Sequence, residues 1–212
     1  SLRERQDHGY RRPCRAGSPP SGRKSCPQAA ENKKKLGRGI EERPESVELR
    51  NEFGHWEIDS VLGLKNENEP VVITLVERMT RMCLWIKAKN HTAEAMQEAF
   101  KDVVSVFLSK KNQVFKTVTG DNGSEFATLA DFEKYGMSVY FTHPYTSCEK
   151  GTNECHNKML RRFIPKGKPI SSYTAEDICY FADCINELPR KILGYRTPEE
   201  LFEQELDKIY AA

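Results

Sequence analysis

Alternation of apolar and polar positions begins abruptly at residue 56. Trp56, Ile58, Ser60, Leu62 and Leu64 fall on one face and Glu57, Asp59, Val61 and Gly63 on the other. That period of two predicts a β-strand over residues 56–64 that turns Asp59 outward from the core. Residues 71–76 are almost continuously apolar and read as a strand covered on both faces, and residues 83–88, with Trp85, read as a third. The polar connections between them are short enough for an antiparallel meander. The period then changes. Ala95, Ala99, Val103 or Val104, and Phe107 recur at helical spacing through residue 108, with Thr92 placed as the N-cap. A fourth strand over residues 114–119 delivers Asp121 at its end. Residues 129–135 read as helical, residues 138–142 as a short fifth strand, and residues 151–163, 174–188 and 198–206 as helices. Upstream of the first strand, a short lead-in helix over residues 45–51 follows Pro44.

Three hairpin-linked strands, a helix, a strand, a helix, a strand and then helices imply an α/β fold, a mixed five-stranded sheet flanked by helices. This order matches the ribonuclease-H-like architecture. There the first and fourth strands are neighbours, which would bring Asp59 and Asp121 together. No internal repeat or second globular domain is evident.

Charge divides the chain unevenly. Of its 212 residues, 1–40 carry 11 Lys and Arg against 3 Asp and Glu, whereas residues 41–212 carry 22 against 28. The total of +2 therefore hides a basic arm on an acidic body. Residues 1–40, with Pro13, Pro19, Pro20 and Pro27 among Gly, Ser and Arg, lack hydrophobic periodicity and read as an arm or linker with little fixed structure. Such an arm suits a polyanion, because phosphate neutralisation releases counterions. Residues 41–212 are then the core domain with its C-terminal helices. The seven cysteines are scattered without a C-x-x-C pair, as expected for reduced thiols, and Cys148, Cys155 and His156 match no zinc-finger spacing. No apolar run approaches a membrane span and no export signal is apparent. A cytosolic protein is the expectation.

Three carboxylates carry the candidate chemistry. Asp59 sits within an otherwise apolar strand, where a charge is costly unless paired or metal-bound. Asp121 lies in T-G-D-N-G-S-E-F, at a strand's carboxyl end. Asn122 and Gly123 alone would signal a hairpin turn, but no alternating strand follows. Glu154 opens a helix and shares a face with Lys158 and Arg161, opposite Met159, Leu160 and Phe163. Taken singly this stripe is an ordinary solvated face. With the two aspartates it becomes a ligand followed by cations for phosphates. Three carboxylates from distant segments are what a pair of divalent cations needs to break and join phosphodiesters.

The segments G-H-W-E-I-D-S, T-L-V-E-R-M-T-R, T-G-D-N-G-S-E-F, P-Y-T-S-C-E-K-G-T-N-E, L-R-R-F-I-P-K-G and L-G-Y-R-T-P-E-E-L-F, within a resemblance that covers residues 40–202, resemble the catalytic domain of DDE transposases of the insertion-sequence-thirty family. That domain is related to the retroviral integrase core. The resemblance implies that Asp59, Asp121 and Glu154 are the catalytic triad and the metal ligands. It also implies a metal-dependent polynucleotidyl transferase using two Mg²⁺ ions, with Mn²⁺ as a substitute, on element ends and target DNA as a homo-oligomer. Lys150, Lys158, Arg161, Arg162, Lys166 and Lys168 are the expected DNA-backbone contacts, and Asn122, His143 and His156 the accessory candidates. The family carries an N-terminal helix-turn-helix that nothing here resembles, so the chain is expected to be part of a longer protein or a truncated copy. Two other readings stay open: a catalytically silent DNA-binding remnant, and a ribonuclease-H-type hydrolase of RNA–DNA hybrids.

Overall fold

Three strands joined by short turns cannot close a two-sided core alone, and a crossover helix must return the fourth strand to the first. A computed structural model of the chain describes residues 36–64, 66, 68–143 and 151–211. Its strands are β1 (His55–Leu62), β2 (Val71–Glu77), β3 (Cys83–Ala88), β4 (Thr117–Gly120) and β5 (Ser138–Phe141). Its α-helices are α1 (Ser46–Leu49), α2 (Ala93–Val106), α3 (Lys111–Val114), α4 (Gly151–Phe163), α5 (Ala175–Asn186) and α6 (Pro198–Ala211). The sheet runs in the order β3-β2-β1-β4-β5. The first three strands pair antiparallel, whereas β4 is parallel to both β1 and β5. The expected mixed, ribonuclease-H-like sheet is therefore present, with β1 at its centre.

Local chemistry fixes the boundaries. The Thr92 hydroxyl accepts the Ala95 N–H (3.3 Å) and starts α2 as its N-cap. Residues 111–114, expected in part to open the fourth strand, form the helical turn α3, and β4 begins only at Thr117. The Val114 carbonyl is taken by the Trp56 indole N–H at 2.7 Å instead of by a ladder partner. Residues 129–135 are helical as expected but wound as a 3-10 helix that ends at Gly136, whose φ of 87° favours glycine.

Both faces of the sheet are covered. On one, Trp56 stacks on Phe115 (centroids 4.9 Å apart) and meets the Phe202 edge at 5.9 Å, within a cluster that includes Ile58, Ile73, Phe100 and Val118. On the other, Val61, Val72, Val76 and Trp85 pack against Leu160, Ile164, Ile178 and Ile185 of α4, α5 and the segment between them. Each such side chain contributes about 1.5–3 kcal/mol when fully buried. This second layer corrects the expectation that the Asp59 face turns outward: Glu57 on that face is fully buried, and Asp59 is half-buried beneath α4.

Residues 1–35 of the expected basic arm lie outside the described residues. Its end is laid against β5, where the Phe141 N–H donates to the Arg38 carbonyl (2.9 Å) and Gly39 bridges Phe141. Among the described residues no helix is long and apolar enough to cross a membrane.

Candidate active site

The register of β1 against β4 does the first positioning. His55, Trp56 and Glu57 pair with Thr117, Val118 and Thr119. Continuing that register sets position 59 level with position 121, where β4 ends. Asp121 then closes a tight turn on itself, its Oδ1 accepting the Gly123 N–H at 3.1 Å. Gly120 lets the strand end lie flush, since a Cβ there would come within 3.0 Å of Leu129 and 3.2 Å of Ile58.

Helix α4 supplies the second element. Asn157 donates to Asp59 Oδ2 at 2.8 Å, and the Thr74 hydroxyl donates to Asn157 Oδ1 (3.0 Å) and Asn153 Oδ1 (3.2 Å). Arg161 reaches the Leu62 carbonyl at 2.8 Å. Glu154 precedes Asn157 by three residues and Arg161 by seven, so it belongs to the stripe of α4 that runs along β1. The buried face of the first two turns is polar, with Thr152, Asn153 and His156, and becomes apolar only at Leu160.

Behind these residues lies a buried polar chain that the sequence did not announce. Arg43 donates to the Thr119 hydroxyl (2.9 Å) and pairs with Glu48. Glu48 also pairs with Arg78 (2.9 Å), Arg78 pairs with Glu57, and Glu57 Oε2 accepts the Asn153 N–H at 2.9 Å. Thr119, Glu57 and Asn153 stand two, two and one residues before Asp121, Asp59 and Glu154. One network therefore ties the backbone upstream of all three carboxylates. The argument that a charge within β1 is costly applies more strongly to Glu57, which is 0% exposed, and Arg78 is what offsets that cost. The available signal was the V-E-R segment at the end of β2 together with the first acidic residue of W-E-I-D. Glu77 in the same segment is a further buried carboxyl, raised above its ordinary value by burial and countered by donors from Thr80, Gly54 and His55.

The other candidates are distributed differently. Asn122 accepts the Leu36 N–H at 3.2 Å, holding the incoming chain. His143 lies 3.4 Å from Glu41 at the surface. His156, expected as an accessory, is instead buried on the far flank of α4. Its ring nitrogens lie 2.9 Å and 3.1 Å from the Thr152 and Arg81 carbonyls, and burial, the largest influence, pulls its pKa down to about 4. Arg161 is a clamp on β1 whose pKa is lowered by burial, rather than an open cation. Lys158, Arg162, Lys166 and Lys168 are exposed. Lys150 lies outside the described residues. On the opposite face of β1, Ser60, His91 and Glu125 form a small cluster, with His91 Nε2 at 3.0 Å from Ser60 Oγ and 3.2 Å from Glu125 Oε1.

The three candidate carboxylates offer hard oxygen donors of the kind Mg²⁺ and Mn²⁺ take. Among the described residues, no three His, Cys, Asp or Glu side chains are gathered closely enough to hold a metal ion. The fold thus aligns Asp59 with Asp121 and sets α4 against Asp59 without forming a closed ligand cluster. A cation bound among three carboxylates would offset the repulsion that bringing them together creates.

Comparison with known proteins bears on this arrangement. Residues 50–147 match the family model of the integrase core domain. Over 181 residues the chain is 42% identical to a probable transposase for insertion-like sequence element IS1161 of Streptococcus salivarius, covering 85% of this chain and 51% of that protein. It is 38% identical over 184 residues to the transposase for insertion sequence element IS4351 of Bacteroides fragilis, covering 83% and 55%. Identity to the transposase InsI for insertion sequence element IS30A of Escherichia coli (strain K12) is 33% over 169 residues, covering 79% and 43%. The chain spans about half the length of the curated relatives it matches.

Proposed function

From its likeness to the integrase core domain and to IS30-type transposases, we propose that the chain belongs with them, cleaving DNA at the ends of an insertion element and joining those ends to a target. The observation that carries the proposal is the β1–β4 register, which sets Asp59 level with Asp121, with Asn157 of the Glu154 helix bonded to Asp59. Asp59, Asp121 and Glu154 would hold divalent cations, two Mg²⁺ with Mn²⁺ able to replace them. When bound, such ions supply Lewis acidity toward the attacking and leaving oxygens of a phosphodiester. The protein's own part is positioning. Asn157 orients one Asp59 oxygen, the Gly123 N–H fixes one Asp121 oxygen, and the Glu57–Asn153 bond anchors the first turn of α4 beside Glu154. Lys158, Arg162, Lys166 and Lys168 would contact the DNA backbone, with α4's N-terminal amides adding a favourable field for a phosphate. Action on element ends implies a homo-oligomer on DNA, in the bacterial cytoplasm.

The test is Asp121→Asn, assayed for Mg²⁺- or Mn²⁺-dependent nicking and for strand transfer from pre-cleaved ends. Loss of both with the fold and duplex affinity retained is the expected result. Parental activity in the variant removes Asp121 from the mechanism. Selective cleavage of RNA in RNA–DNA hybrids by the parent would replace transposition with hydrolysis.

A further inference from the structure

On the flank of α4 away from Asp59 lies a cavity of about 240 Å³ whose charged walls are all cationic. Arg50, Arg81 and Arg190 line it with Gly151, Thr152, Cys155, His156, Met159 and Ile192. The α4 residues facing it, 152, 155, 156 and 159, lie about half a helical turn around from the 154, 157, 158 and 161 stripe, by 100° per residue. Helix α4 therefore stands between the cavity and the carboxylates.

The three arginines come from three separate places in the chain. Arg50 and Arg81 adopt left-handed backbone conformations, with φ of 54° and 64°. Such conformations are uncommon for residues with a side chain. The Arg81 guanidinium donates to the Thr152 hydroxyl (3.1 Å), and Arg190 donates to the Met159 sulfur (3.2 Å) and the Ile185 carbonyl (3.0 Å). Among the described residues no carboxylate pairs with any of the three. Arg190 Nε is buried and has no hydrogen-bond partner. Burial, and then the Arg50 charge, lowers the pKa of Arg81, and the more distant Glu57 and Glu77 offset this only in part. The N-terminal end of the α4 dipole adds to the positive field of the three arginines, and a Cβ on Gly151 would meet nothing within 4 Å. Met159 and Ile192 provide an apolar wall against which a sugar or base can lie.

We propose that this cavity is a second DNA-binding subsite, which takes a backbone phosphate of a strand passing the N-terminal end of α4. The inference rests on the proposed action on DNA. It assigns Arg50, Arg81 and Arg190, none of them on the stripe beside Asp59, to holding the strand while the carboxylates face a different phosphodiester of the same strand.

Two variants test it. Arg50→Gln removes a charge, and Ile192→Glu places a carboxylate at the rim from a side chain that is 72% exposed, so the core is spared. Binding of a short labelled duplex is measured by anisotropy across a salt series, with thermal melts as the check on folding. Each variant is expected to bind about tenfold more weakly, the loss of one charge-assisted contact. The slope of log affinity against log salt should fall by about one. Parental affinity and slope in both variants overturn the subsite while leaving the proposed function standing. A parent that binds no duplex overturns both. If inorganic phosphate perturbs the arginine Nε resonances of the parent but saturating duplex does not displace it, the cavity takes free phosphate and the strand assignment falls. Unchanged duplex affinity with weakened self-association would give the cavity to a carboxylate of a second chain, and equally refute the proposal.

Discussion

Replacing Arg78 by Met would remove the cation at the middle of the buried chain that links Thr119 to Asn153. Arg78 is 1% exposed and makes three contacts: to the Val47 carbonyl (3.1 Å), to Glu48 (2.9 Å) and to Glu57. The Glu48 side chain is 56% exposed, so water replaces most of what it loses. Glu57 is fully buried and keeps only the Asn153 N–H as a direct partner, with Arg43 and Arg81 as more distant cations, which leaves a carboxylate without a paired countercharge. Breaking a buried pair in this way costs about 3–5 kcal/mol. That is a large share of the roughly 5–15 kcal/mol by which domains are stable. Urea unfolding followed by tryptophan fluorescence reads the loss directly. In a thermal melt it corresponds to a fall of about 6–20 °C at this chain length. The double variant Arg78→Met/Glu57→Gln discharges the stranded carboxylate and should be more stable than the two single losses summed, by about 1–3 kcal/mol. A single-variant loss below about 1 kcal/mol, or strict additivity in the double, would show that Glu57 does not depend on Arg78 and refute the reasoning.

Two further outcomes follow from the same contacts. His156 has a folded pKa of about 4 against an ordinary 6.5, so below pH 6.5 the unfolded ring takes a proton that the folded ring refuses. Its contribution is complete above that pH and declines through the interval down to about 4, by up to about 3 kcal/mol. The difference between parent and His156→Asn stability curves isolates this slope, and parallel curves would contradict it. Asn157→Ala frees Asp59 Oδ2 and should raise the Mg²⁺ concentration for half-maximal nicking about 10–100-fold, with little change in melting temperature. An unchanged metal requirement would assign Asn157 to packing alone.

Most of the architecture could be read from periodicity because its elements have distinct periods. The alternation in β1, the apolar run of β2 and the helical repeat of α2 each specify their element and its approximate limits. Misreadings arose where a side chain competed with the backbone pattern. Val114, read as the first residue of the fourth strand, instead ends a helical turn, and the Trp56 indole claims its carbonyl, a contact spanning 58 residues that no local pattern reveals. The outward face assigned to Asp59 was wrong for a related reason. Glu57 resembles a solvated residue until Arg78 and the α4 backbone are known to lie over it. The alignment of Asp59 with Asp121 was legible from strand order alone. The anchoring of α4 was not, since Asn153 and Asn157 look like ordinary polar helix positions until Thr74 and Asp59 are placed opposite them.

The placement of Phe202 has a consequence for how the molecule is made. Its ring fills the space beneath Phe53 and Trp56 at the foot of the central strand, although α6 follows all five strands of the sheet in the sequence. Until then, a growing polypeptide carries a sheet whose floor is open to water, with the indole of Trp56 exposed at the gap. Completion of the hydrophobic seal thereby waits on the synthesis of α6, and a product terminated before it would present a sticky aromatic surface to chaperones and proteases.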